Sequence, residues 1–395
     1  GNEIIIISGR NNGEYNNPYK LTEQWLEKYD ISYDKLILTN AYNKEEKANV
    51  CTENNIDIMI EDSTQTAVNI EKVGTKVLFM NTRYNKNNEN FEKVSNWKEI
   101  YVKISSMYKK KTEEKINVIL DTDTYNECDD QFALAYLLKN QDKFNIEAIT
   151  VAPYSHSDRK ETIEETTEKS YKEILKICNW LNFETKNKVF KGSIDYICNG
   201  YNENNDAVNK IIEVANKNEK TYILAIGAIT NVALAIKKSP EIINKMEVIW
   251  LGGNSFLADN NREFNFEQDV QAVREVFKSK VKLTIIPCRN VASNLRTSIY
   301  ELEHFLEGKN KLCDYLCQKF YDPEVKLVKD DQIIWDISVI AYMINKSWFE
   351  TEEVCCPIIK EDTSYELTES RHKITFVNYL DPNKIYSDLF KKLVE

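Results

Sequence analysis

The chain has 395 residues, long enough for two domains that each bury a core. Its 52 Lys and Arg against 63 Asp and Glu give a net charge of −11, which argues against nucleic acid as a partner, because phosphate-backbone binding draws on clustered cations. No apolar run spans a bilayer without polar interruption, and Gly1-Asn2-Glu3 before Ile4 to Ile7 lacks a basic leader and cleavage site, so a cytoplasmic protein away from membranes is expected.

Apolar strand-like runs at Ile4 to Ile7, Leu36 to Leu38, Ile56 to Ile60 and Val77 to Met80 alternate with helical patterns such as Leu21 to Tyr29 and Lys44 to Glu53. The alternation predicts a small doubly wound, Rossmann-like α/β domain over residues 1–104. The Asn- and Lys-rich patch at Asn85 to Asn90 reads as a surface loop. Residues 105–115, polar and charged, read as a linker. Beyond it, strands at Val118 to Leu120, Ile146 to Val151, Tyr222 to Ile226, Val248 to Leu251 and Leu283 to Ile286 again alternate with helices. Residues 116–395 are therefore expected to form a second α/β domain with a mostly parallel sheet and flanking helices.

The chemically richest stretch runs from Val118 to Tyr136 and places Asp121, Asp123, Asp129 and Asp130 where a strand hands over to a helix. That is the carboxyl edge of a sheet, where α/β proteins bind ligands. Carboxylates so close repel unless a cation or a shared proton neutralises them, and oxygen ligands select calcium or magnesium. The plainer reading of Asp129 and Asp130 is that they cap the helix and suit its dipole. It accounts for one or two aspartates but not four.

Nine cysteines fall into no CxxC pair. Cys313 and Cys317 lie four apart on a helical stretch, Cys355 and Cys356 adjoin Pro357, and buried free thiols are expected. With three histidines, a zinc site or a serine–histidine triad has few residues to draw on.

From about 116 to the end the chain resembles the nucleoside hydrolases, in the branch whose first motif carries an inserted Asn-Glu. The ordered landmarks are DTDTYNECDD at 121–130, AITVAPY at 148–154, GAITNVALAI at 227–236, a Gly-Gly pair followed by REFNFEQD in 252–269, and WDIS at 335–338. The resemblance implies a calcium ion held by Asp123, Asp130, the carbonyl of Thr230 and Asp336, with ribose hydroxyls and a water completing the shell. Thr230 reads equally as a helix N-cap. By the same resemblance Asp129 binds the 2′-hydroxyl, Glu263 and Asn265 hold the far side of the ribose, Asp123 takes a proton from water, and Asp121 orients the loop from behind. A homo-oligomer acting on a small-molecule nucleoside is implied as well.

Three departures bear on the chemistry. Tyr125, Asn126 and Glu127 fall in a loop two residues longer than usual and can add a wall or a polar contact, which makes Asn126 a candidate substrate ligand. Trp335 stands where purine-cleaving members place a histidine, and an indole cannot protonate a departing base. Pro153-Tyr154-Ser155-His156 replaces a Gly-Asn ending, so His156 is a candidate acid or a structural residue, while Tyr154 and Trp335 either stack on the base or fill the core. His304 reads as structural.

Residues 3 to about 104 resemble the latter part of a haloacid-dehalogenase-like phosphatase of the 5′-nucleotidase type, through Ile7-Ser-Gly-Arg10, Lys47 before Cys51, and Ile60-Glu-Asp-Ser63. The resemblance implies phosphate at Ser8 and Lys47 and magnesium at Asp62. No Asp-x-Asp precedes Ser8, so a phospho-aspartyl intermediate is not expected from these residues.

Together these observations predict a calcium-dependent hydrolase that splits a ribonucleoside into base and ribose in nucleoside salvage. The alternatives are a non-catalytic nucleoside-binding or regulatory protein, and a nucleotide phosphatase if the first motif exists in a longer product.

Overall fold

A computed structural model describes residues 3–10, 16–83, 85, 91–108, 115–157, 160–200, 203–321 and 330–395. The chain divides into two compact units, residues 1–113 and 114–395.

In the first unit β1 (Ile5–Gly9), α1 (Pro18–Lys28), β2 (Lys35–Thr39), α2 (Glu46–Glu53), β3 (Ile58–Glu61), α3 (Thr64–Lys72), β4 (Lys76–Met80), β5 (Glu92–Val94) and α4 (Trp97–Tyr108) follow one another. Pro18 at the start of α1 supplies a preset φ, and the Asn17 side chain accepts the Lys20 N–H at 3.2 Å to cap it. The strands are parallel within two ladders, β1 with β2 and β3 with β4 and β5, rather than in the single doubly wound sheet expected; no ladder joins them among the described residues. Ala67, Ile70, Val77 and Phe79 form a small core.

Two expectations need correction here. Residues 105–108 belong to α4, whose apolar Ile100, Ile104 and Met107 at helical spacing pack with Leu78 and Val94, so the linker does not begin at 105. Residues 109–114 lie outside the described residues. In the patch read as a surface loop, Asn85 is buried, with its amide donating to the carbonyls of Asp62 and Met80; residues 86–90 are outside the description.

The second unit begins with β6 (Ile116–Thr122), α5 (Asp129–Leu138), β7 (Phe144–Val151), α6 (Ile163–Trp180), β8 (Val189–Phe190), α7 (Asp206–Lys217), β9 (Thr221–Ala225), α8 (Thr230–Lys238) and β10 (Met246–Leu251). It continues through α9 (Phe264–Gln268), α10 (Val270–Ser279), β11 (Lys282–Ile286), β12 (Arg296–Ser298), α11 (Ile299–Phe305), α12 (Lys311–Phe320), β13 (Asp331–Ile333) and α13 (Ile337–Ile344). The last elements are β14 (Phe349–Cys355), β15 (Ile358–Ile359), β16 (Tyr365–Glu366), β17 (Lys373–Leu380) and α14 (Pro382–Val394).

Eight of these strands form one sheet in the order β14-β17-β11-β10-β9-β6-β7-β8, and only the edge strand β14 runs antiparallel. Helices cover both faces, so central strands such as β10 are buried along their whole length and read as unbroken apolar runs. Helix α5 is buried on every side, which explains why its sequence lacks a polar stripe. Seven of the nine cysteines are buried, Cys198 is exposed, Cys355 is intermediate, and all are free thiols. Among the described residues no helix is long and apolar enough to cross a membrane.

Candidate active site

The carboxyl ends of β6, β9, β10 and β11 meet at a cavity of about 250 Å³. Asp123 follows β6, Asp129 and Asp130 open α5, and Asp336 directly precedes α13, so segments far apart in sequence deliver four buried carboxylates to one wall. Oxygens of Asp129, Asp130 and Asp336 lie within 4.8 Å of one another. The Thr122 hydroxyl donates to Asp130 Oδ1 at 2.5 Å and fixes that carboxylate.

Burial first, and then mutual repulsion, push Asp123 and Asp336 well above the usual carboxylate range; Asp129 and Asp130 rise in the same way. Asp123 Oδ2 is buried without a hydrogen-bond partner among the described residues. At the other end of the sheet the buried Glu247 has Lys220 and Lys282 at 2.9 and 3.0 Å. Among the described residues no lysine pairs with Asp123, Asp129, Asp130 or Asp336. An orphaned carboxylate oxygen and hard donors fit a divalent cation, and Asp129, Asp130 and Asp336 are the acids whose oxygens come close enough together to share one.

The backbone is shaped to this cluster. A Cβ on Gly227 would lie 2.6 Å from Asp123 Oδ1 and 2.8 Å from the Ala152 Cβ, so only glycine lets the strand end approach the carboxylate. Asp121 stands outside the cavity lining, where its Oδ1 accepts from Thr150 at 2.6 Å and Asn231 at 2.9 Å while burial raises it to about 6. It ties β6 to β7 and α8.

Glu263 lines the same cavity. Its carboxylate accepts the N–H groups of Gly253 at 2.6 Å, Phe266 at 2.8 Å and Asn265 at 3.0 Å, together with the Cys288 thiol at 3.5 Å. Burial nevertheless lifts it to about 7. Asn265 donates both amide hydrogens to the carbonyls of Ile226 and Leu251, which leaves its oxygen as the remaining polar atom.

The aromatic residues sort differently from expectation. Trp335 lines the cavity together with Phe264. Tyr154 is fully buried, set edge-on to His156, and is a core residue rather than a stacking platform. His156 is not in the cavity wall: its ring packs 5.0 Å from Phe264 and its Nε2 lies 2.7 Å from Asn126 Oδ1. Asn126 is in the wall. The imidazole thus packs against two lining residues without being in the lining itself, which favours the structural one of its two expected readings.

Thr230 is the first residue of α8 rather than its cap; Ile229 holds the cap position, and the Thr230 hydroxyl donates to Asp269 at 2.9 Å. The threonine lies outside the cavity lining. His304 sits in the last turn of α11, against Phe305. Sequence reasoning passed over Phe264, Cys288 and Arg289, all in the wall. Phe264 stands between Glu263 and Asn265, and the Cys-Arg pair after β11 has no acid or histidine to mark it.

In the first unit Ser8 lies in β1, and Lys47 Nζ is 2.6 Å from Glu61 Oε2. Glu61, buried and holding the N–H groups of Asp62 and Ser63, is the carboxylate the motif reading omitted. Burial and the neighbouring Glu61 raise Asp62.

Residues 118–386 match the model of a family described as inosine-uridine preferring nucleoside hydrolase. A probable uridine nucleosidase of Oryza sativa subsp. japonica is 32% identical over 109 residues, covering 25% of this chain and 31% of the relative. A nucleotidase of Clostridium acetobutylicum is 34% identical over 92 residues, 23% of this chain and 46% of the relative. The chain thus spans about half or less of the length of these two relatives. Among solved structures, a plant nucleoside hydrolase superposes with a TM-score of 0.58 at 17% identity, covering 71% of this chain and 99% of the other. A purine-preferring ribonucleoside hydrolase from Gardnerella vaginalis gives the same score and identity over 70% and 98%.

Proposed function

The chain belongs to the inosine-uridine preferring nucleoside hydrolase family, and we propose that it hydrolyses the N-glycosidic bond of a ribonucleoside to free base and ribose, with calcium at Asp123, Asp130, Asp336 and the Thr230 carbonyl. The observation that carries this reading is the cavity that Asp123, Asp129, Asp130 and Asp336 line together with Glu263 and Asn265. A sugar in it meets polar oxygens from both groups.

Calcium, when bound, supplies positive charge that keeps the carboxylates ionised and orients sugar hydroxyls. Asp129 accepts the 2′-hydroxyl, and Glu263 and Asn265 fix the opposite side of the ring. Water adds at the anomeric carbon as the bond to the base breaks; Asp123 takes the water's proton, and the surrounding carboxylates stabilise the oxocarbenium character that develops. The base leaves against Trp335 and Phe264 and takes its proton from solvent, with the Asn126 amide, braced by His156, as a polar contact at the wall.

For the first unit we propose a haloacid-dehalogenase-like phosphate site at Ser8 and Lys47 with magnesium at Asp62. Sequence likeness to a nucleotidase over 92 residues supports a phosphatase-like element in the chain. Phosphate there has to displace Glu61 from Lys47. The same reading makes the protein a cytoplasmic homo-oligomer that binds neither nucleic acid nor membrane.

The test is chromatography of products after incubation with purine, pyrimidine and modified ribonucleosides, in calcium and in chelator. Calcium-dependent release of free base is expected; intact nucleosides under both conditions overturn the proposal.

A further inference from the structure

The cavity wall contains six carboxylates, from Asp123, Glu127, Asp129, Asp130, Glu263 and Asp336, and one cation, Arg289. A guanidinium beside so many acids would ordinarily pair with one. Arg289 forms no ion pair and no side-chain hydrogen bond among the described residues, and its side chain is exposed. Its backbone, in contrast, is held: Cys288 N–H donates to the Gly253 carbonyl at 2.8 Å, Arg289 N–H to Asn254 Oδ1 at 3.2 Å, and the following Asn290 adopts a left-handed turn with φ of 69° while its amide donates to Ser255 at 2.9 Å.

The place of this arginine follows from its neighbour. Cys288 Sγ lies 3.5 Å from Glu263 Oε2, so Arg289 follows directly on a residue that touches Glu263, in the cavity that Asp129, Asp130 and Asp336 also line. A neutral ribonucleoside has no group that calls for a charged fork at that wall. The planar guanidinium matches phosphate oxygens in paired hydrogen bonds, and it is weakly hydrated, so little is lost on contact.

We propose that Arg289 receives a phosphate carried on the exocyclic carbon of the sugar, so that the preferred substrate is a ribonucleoside 5′-monophosphate rather than the nucleoside. This rests on the reading of the cavity as an N-ribosyl hydrolase site and adds the substrate class. The phosphate stays on the sugar: water adds at the anomeric carbon, the bond to the base breaks, and the products are free base and ribose 5-phosphate.

The experiment compares kcat/KM for matched nucleosides and 5′-monophosphates, following base by chromatography and sugar phosphate separately from inorganic phosphate, in the wild-type chain, Arg289→Ala and Arg289→Lys. The expected result is a wild-type preference for the monophosphate, with ribose 5-phosphate as co-product. That preference should fall about ten- to a hundredfold in Arg289→Ala, the loss of a charge-assisted contact, and by less in Arg289→Lys. Cleavage of nucleosides with no preference for monophosphates overturns the inference and leaves the hydrolase reading standing. So does inorganic phosphate appearing before base, which would mean that the nucleotide is dephosphorylated first. A preference that persists in Arg289→Ala removes the arginine from it. If neither substrate releases base, the inference fails together with the reading beneath it.

Discussion

His156 Nε2 lies 2.7 Å from Asn126 Oδ1, and in the tautomer that carries its proton on Nε2 the imidazole donates to that carbonyl oxygen. The bond leaves the Asn126 amide hydrogens as the groups that can serve the cavity. His156→Ala is expected to lower kcat/KM by about fivefold, in keeping with one lost orienting hydrogen bond of roughly 1 kcal/mol. His156→Gln, which can also donate to Asn126, should recover part of it. A histidine that acted as the acid itself would lose far more and would not be rescued.

Gly227 tests the backbone beneath the acids. In Gly227→Ala the new methyl group meets Asp123 Oδ1 at 2.6 Å and the Ala152 Cβ at 2.8 Å, neither of which can move freely in a buried site. Overpacking of this kind costs about 1–3 kcal/mol. Calcium affinity measured by calorimetry should drop along with turnover while the circular dichroism spectrum is retained. Unchanged affinity would show that Asp123 does not contribute to the ion.

Much of this was legible in advance because the β6 to α5 junction concentrates its acids within ten residues, Asp121 to Asp130. The parallel strands were legible for a related reason, since buried α/β strands read as apolar runs, and β6, β7, β9, β10 and β11 appear where Val, Ile and Leu cluster. What escaped is decided by tertiary pairing. Strand β14, with exposed Glu350, Glu352 and Glu353, has no apolar run to betray it and is a strand because β17 pairs with it. Arg289 and Cys288 reach the cavity because β11 ends beside β10, a neighbourhood that local spacing does not express. The place of His156 behind Asn126 depends likewise on Phe264 from a segment more than a hundred residues away.

Asp130 separates metal binding from folding. Asp130→Asn removes one of the crowded charges while keeping the shape that the Thr122 hydroxyl contacts at 2.5 Å. Calcium binding and turnover should both be lost. In chelator, however, the variant should melt at a higher temperature than the wild type, because burial and repulsion by Asp123 no longer oppose an ionised carboxylate. Thermal melts in chelator decide it, and a lower melting temperature would show that the cluster is not under electrostatic tension.

Glu263 provides the pH test. Burial raises it from 4.5 to about 7 despite three backbone donors. A carboxyl whose folded pKa lies above its unfolded value holds its proton more tightly when folded, so its stabilising effect is complete below about 4.5 and fades as the pH rises through about 7. Over that window the wild-type chain in chelator should lose on the order of 3 kcal/mol relative to Glu263→Gln, which has no proton to release. Urea unfolding at closely spaced pH values from 4 to 8 gives the difference directly, and the other buried acids cancel because both proteins contain them. Parallel pH profiles would show that the three backbone donors offset the burial completely, leaving Glu263 ionised throughout and ready to accept a sugar hydroxyl at any of these pH values.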